Sequence, residues 1–219
     1  MSASTYAGLL ELTAGGVLVC AVMTLWRREV RAIVAMLRVQ GLCLAAVAGV
    51  LASHERNAGL LVTAILVLAV KGFVVPGLLG RVVRADPGSR ETSPLVNVPA
   101  SLVSAAVLIV VAYVVSSKIS VLAPSTATHL APIGVATVLV GYFMLVTRRR
   151  AVSQIVGLLL VDNGVAVVTF LLTSGVPLIV ELGASLDVLL VVVVLQVLVG
   201  SIRDRTGSSD LDQMRELHD

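Results

Sequence analysis

Seven apolar runs, each long enough to cross a bilayer as a helix, take up most of this 219-residue chain. They are Ala7 to Trp26, Ala32 to Ala52, Ala58 to Gly80, Ala100 to Leu122, Leu130 to Thr147, Ala151 to Leu172 and Leu178 to Ile202. A hydrocarbon layer about 30 Å thick is crossed by about 20 residues of α-helix, and within it every backbone amide must find its partner inside the segment. The pattern therefore predicts an all-α integral membrane protein of about seven transmembrane helices. Composition agrees: 58% of the residues are hydrophobic, 13% are charged and the mean hydropathy is +1.03, whereas soluble domains carry about 25% charged residues.

The net charge of +3 and the pI of about 9.2 do not point to nucleic acid. The basic residues form short clusters between apolar runs, with no basic stripe interleaved with aromatics. Seven spans make the links alternate sides, and the charges then sort themselves. One side holds Arg56 and Lys118; the other holds Arg27, Arg28, Arg31, Arg81, Arg84, Arg90, Arg148, Arg149, Arg150, Arg203, Arg205 and Arg215. A missed or invented span would exchange the sides of everything after it, so this asymmetry supports the whole assignment. It predicts an N-terminus outside and a C-terminus in the cytoplasm. The first ten residues carry no Lys or Arg, unlike the positive start of a secretory signal, so the N-terminus is expected to be retained. Cys20 and Cys43 lie inside apolar runs without neighbours at ligand spacing and read as small packing residues.

Charged groups inside the spans carry the functional signal. Counted at about 1.5 Å per residue from Arg28 and Arg81 on the basic side, Arg38 and Lys71 lie roughly 15 Å deep; Asp162, from Arg150, lies roughly 18 Å deep and Asp187, from Arg203, roughly 24 Å. Isolated charges at such depths are costly, so these groups must face one another, a hydrated cavity or partner subunits. An acid and an amine in poor contact with water have coupled proton equilibria, as a proton relay requires. Static neutralising pairs, or a protonated Asp162 bonded to a neighbouring helix, fit the same pattern. Lys71 precedes Gly72 and Pro76, and the proline leaves the Gly72 carbonyl without its helical donor, which predicts a kink beside the lysine. Gln40 and Asn163 add hydrogen-bonding groups near mid-depth. Glu11 lies nearer the outer boundary, and Glu181 opens the last span together with Pro177, Gly183 and Asp187. Gly41, Ala45 and Gly49 form a small-residue ridge suited to a close helix contact. Nucleophile elbow, phosphate loop and metal motif are all lacking from the sequence.

The link from Arg81 to Pro99 contains Asp86-Pro87-Gly88 and Pro94, which should end the preceding helix. We read residues 1–99 as a three-helix half with its cytoplasmic link, 100–129 as a connecting span, 130–202 as a second three-helix unit and 203–219 as a cytoplasmic tail. In that tail Ser209 can cap a short helix bearing Leu211, Met214 and Leu217. An internal likeness relates Val17-Leu18-Val19, Met23 and Arg27-Arg28 to Val138-Leu139-Val140, Met144 and Arg148-Arg149, at a constant offset of 121. As parallel repeats these would relate spans one to three to spans five to seven.

Taken together, Arg38-Val39-Gln40-Gly41, Lys71 with Pro76, Asp162-Asn163-Gly164, Pro177 through Glu181-Leu182-Gly183 to Leu186-Asp187, and the tail from Leu211 to Asp219 resemble the hydrogenase-4 component E family. These are membrane subunits of formate-hydrogenlyase-like group 4 nickel-iron hydrogenase complexes. The final third also resembles the small three-span subunit of complex I and that of multisubunit cation/proton antiporters. Two departures stand out: Asp162 occupies a position where the family usually has Glu, and Leu159 stands where the complex I subunit has a Glu. The resemblance implies a chain that is not an enzyme on its own, set in a bacterial or archaeal cytoplasmic membrane. It implies proton translocation through Asp162, Lys71, Asp187, Glu181 and Arg38, supported by Asn163 and Gln40, with no metal or cofactor in this chain. Nickel-iron and iron-sulfur centres would belong to partner subunits. Those partners would be antiporter-like membrane-arm subunits and a soluble hydrogenase arm. A subunit of a multisubunit cation/proton antiporter and a purely structural membrane anchor are the alternatives.

Overall fold

The computed structural model describes residues 2–85, 95–122 and 125–173. Within them the chain is an all-α bundle with six helices long and apolar enough to cross a membrane. α1 (Ala3–Trp26) and α2 (Val30–Glu55) form the first hairpin; α3 (Ala58–Val67), a π-helical segment (Leu68–Val74) and α4 (Val75–Ala85) together make the third span. α5 (Val98–Leu122), a short 3-10 turn (Thr128–Leu130), α6 (Ala131–Thr147) and α7 (Ala151–Thr173) complete the described chain. The expected seventh span, the tail helix and most of the link after Ala85 lie outside the described residues.

Local chemistry sets the helix ends. The Ser2 hydroxyl accepts the Thr5 amide at the start of α1, and the Asn57 side chain accepts the amides of Gly59 and Leu60 at the start of α3. Such caps replace partners that the first turn of a helix lacks. Between α2 and α3, Arg56 adopts φ 52°, the left-handed conformation that closes many helices.

The offset of 121 residues reappears in three dimensions. α1 ends at Trp26 and α6 at Thr147; α2 begins at Val30 and α7 at Ala151. Arg27 and Arg148 both take extended backbone, and their amides bond back to the carbonyls of Met23 and Met144. The two hairpins touch through α1 against α6 and α2 against α7. At the basic end Arg148, 3% exposed, donates from Nη2 to the Leu25 carbonyl at 2.8 Å. That bond satisfies one of the last carbonyls of α1 and complements its dipole. Arg148→Ala should therefore lower stability by about 1–3 kcal/mol, read as a lower unfolding temperature in detergent; an unchanged transition would remove this bond from the account.

Packing within each hairpin is closest where side chains are smallest. α6 and α7 meet through two reciprocal glycine pairs, Gly134 with Gly164 and Gly141 with Gly157, spaced seven residues apart on each helix. A Cβ on Gly164 would lie 2.6 Å from the Val138 amide nitrogen, and one on Gly157 would lie 2.8 Å from that of Leu145. Membrane helices lack a hydrophobic drive to associate, so such backbone approach supplies dispersion contact instead. Gly41 of α2 does the same against the third span: a methyl there would overlap the Lys71 carbonyl. Of the small-residue ridge, Gly41 and the buried Ala45 make close contacts, while Gly49 faces open space.

Candidate functional site

The third span changes helix type at its lysine. Pro76 has no amide to give the Gly72 carbonyl, and the backbone responds by slipping one residue in register rather than by a simple kink. The Val75 amide reaches back five residues to Val70. π-turns inside α-helices occur frequently at functional sites. Here the segment keeps Val67, Lys71, Val75 and Leu79 all buried, although four-residue steps along an α-helix overshoot a full turn by about 40° each. The wider turn takes up part of that drift. Lys71 is thereby held in the interior instead of rotating toward lipid.

Across from it stands Asp162 of α7. Lys71 Nζ and Asp162 Oδ2 are 2.8 Å apart, with the two side chains 5% and 19% exposed. This is a direct ion pair among the buried faces of α2, α7 and the π segment. A cavity of about 10 Å³ borders it, lined by Leu37, Val70, Lys71, Val75, Leu159, Asp162 and Asn163, which is room for about one water. Apart from the pair and Asn163, its walls are apolar.

A second polar chain abuts the first. Asn163 Nδ2 donates to Gln40 Oε1 at 2.9 Å, and Gln40 Nε2 donates to the Val17 carbonyl at 3.1 Å. Gln40 is fully buried and Asn163 is 3% exposed, so these bonds satisfy amides that would otherwise be costly in hydrocarbon. The chain joins α7, α2 and α1, and it fixes the rotation of α7 about its axis. With Asn163 turned to Gln40 and Gly164 pressed on Val138, Asp162 is directed at Lys71.

Thus the structure brings together four of the predicted site residues: Lys71, Asp162, Asn163 and Gln40. Arg38 stands apart, exposed on the outside of α2. Asp187 and Glu181 lie outside the described residues. Glu11 is exposed on α1. Cys20 and Cys43, read from the sequence as small packing residues, are free thiols that neighbour each other where α1 packs on α2, a proximity the sequence did not reveal. Sequence reasoning also missed the four glycines that set α7 against α6. Their signal was present as paired seven-residue spacings in adjoining helices. No group of three or more His, Cys, Asp or Glu able to hold a metal occurs among the described residues.

What the arrangement can do follows from its parts. The ammonium of Lys71 and the carboxylate of Asp162 are in direct contact, and the cavity beside them reaches both groups. A protein named "Uncharacterized protein Rv0085" from Mycobacterium tuberculosis (strain ATCC 25618 / H37Rv) is 43% identical over 220 residues, covering 100% of both chains. The chain belongs to the Rv0085 family. No family model matches the sequence, and no solved structure matches it. The likeness to Rv0085 extends over the full length of both chains.

Proposed function

We propose that this member of the Rv0085 family is a non-catalytic membrane subunit of a hydrogenase-4 or formate-hydrogenlyase-like, complex-I-related oxidoreductase. In this reading it resides in a bacterial or archaeal cytoplasmic membrane and contributes to proton translocation and membrane anchoring. The supporting observation is the ion pair between buried Lys71 and partly buried Asp162, 2.8 Å apart and bordered by a water-sized cavity, at a break in helical register. A fixed pair needs no adjoining cavity, although the π segment serves it as well by holding Lys71 in the interior. A pair that must change protonation uses both: water to exchange with, and backbone that can adjust as charge comes and goes. Electron transfer, with its nickel-iron and iron-sulfur centres, falls to the partner chains.

Isolation in mild detergent from its own membrane tests the assignment. The protein should co-migrate with antiporter-like membrane chains and with a soluble arm containing nickel and iron, in a fixed ratio to this subunit. Recovery with cation/proton antiporter chains alone, free of nickel, would transfer the same ion pair to the antiporter reading.

A further inference from the structure

Arg38 presents a problem that the ion pair does not solve. It lies eight residues into α2, about 12 Å along a helix that is about 39 Å long, yet its side chain is exposed on the outer surface of the bundle. Among the described residues it makes no hydrogen bond or ion pair. The described acids cannot supply one. Asp162 is held by Lys71, Glu29 and Glu55 lie at the two ends of α2, and Glu11 is on α1.

Snorkelling does not remove the difficulty. Arg31, on the same stripe of α2, already sits at the basic boundary, and Arg38 is two turns, about 10 Å, deeper. Left against acyl chains, a guanidinium there is among the most expensive groups a span can carry. Its neighbours on that face, Ala35, Val39 and Leu42, are small or apolar and also exposed. Together they form a packing surface with one positive charge at its centre.

We propose that this face of α2 is a lateral docking surface for a transmembrane helix of a different polypeptide, one that carries an Asp or Glu at the depth of Arg38. Charge complementarity names the partner's chemistry, since only a carboxylate at matching depth can both neutralise a guanidinium and accept its paired donors. The direction of the face argues for a separate chain. Residues two apart on a helix are about 200° apart, so Arg38 is nearly opposite Gln40, whose side chain binds Asn163 of α7. The chain leaves the described bundle from the end of α7 at Thr173, on the other side of α2. The docking surface goes beyond the proposed translocation and does not depend on it, because contact is read whether or not protons move.

A photo-reactive benzophenone amino acid placed at Ala35 or Leu42 of the full chain, in its own membrane, tests this directly. Irradiation should give an adduct whose cross-linked peptide, identified by mass spectrometry, comes from another membrane protein and bears an Asp or Glu at mid-span. Arg38→Gln should cut that adduct about tenfold, while Arg38→Lys retains most of it and both variants keep the parental unfolding temperature. The proposal is overturned by an adduct that maps to residues 174–219 or to a peptide without such an acid. It is equally overturned by an adduct to lipid alone, or by one that Arg38→Gln leaves unchanged.

Discussion

Asp162→Asn should reduce proton movement by the assembled complex by about tenfold or more, the consequence expected when one member of an acting pair is removed. Asparagine keeps the size and hydrogen-bonding capacity of aspartate but cannot carry the charge or exchange the proton. Lys71, 5% exposed, then loses the Asp162 charge beside a cavity of about 10 Å³. Breaking a buried pair from one side costs about 3–5 kcal/mol, whereas replacing both members by apolar residues is often neutral. The variant should therefore unfold at lower temperature in detergent, and the double variant Lys71→Met/Asp162→Leu should recover most of that loss. Translocation should not return with it. Acidification of proteoliposomes by the complex separates the two effects: a double variant that is stable but does not move protons supports the relay, and one with normal proton movement reduces the pair to a fixed support.

Gly164→Leu is expected to prevent accumulation of the folded protein. A Cβ at that position lies 2.6 Å from a backbone nitrogen of α6 and 2.9 Å from the Gly134 carbonyl oxygen, and backbone cannot rotate away as a side chain can. α6 and α7 would have to separate along their most intimate contact. We expect a loss of about 3 kcal/mol or more, at the upper end of overpacking effects, with Gly141→Leu behaving alike at the second reciprocal pair. Gly49→Ala is the control, because a methyl there meets nothing within 4 Å. It should be neutral or stabilising by about 0.5–1 kcal/mol, the usual difference between alanine and glycine within a helix. Yields and unfolding midpoints in detergent report both, and similar behaviour of the two substitutions would refute the close-contact account. Because Gly164 follows Asp162 and Asn163 directly, a milder Gly164→Ala variant should also weaken the ion pair and the Gln40 bond.

Much of the architecture was legible before any fold was known. Spans in hydrocarbon must satisfy their own amides, so apolar length alone marks the helices. Six of the seven expected runs correspond to described helices, and the seventh falls outside them. The offset of 121 seen in a few matched residues recurs in helix ends and cap geometry. Proline at 76 identified where the third helix would deform, though not that a π turn would absorb the deformation. The cysteines illustrate the opposite case: nothing in their separation along the chain shows that Cys20 and Cys43 touch.

Depth in the membrane is a linear count along a helix of constant rise, and for that reason the sequence by itself set the heights of Arg38, Lys71 and Asp162. Which way each side chain turns about its helix axis was decided only by tertiary packing. Glycine pairs fixed the rotation of α7, the Gly41 contact and the π segment fixed that of the third span, and the buried Gln40 fixed that of α2. These contacts directed Lys71 and Asp162 at each other and left Arg38, at a similar depth, facing out of the bundle. An apolar helix with little amphipathic contrast carries almost no directional signal of its own, so its orientation emerges from where backbones can approach and where polar groups can be satisfied.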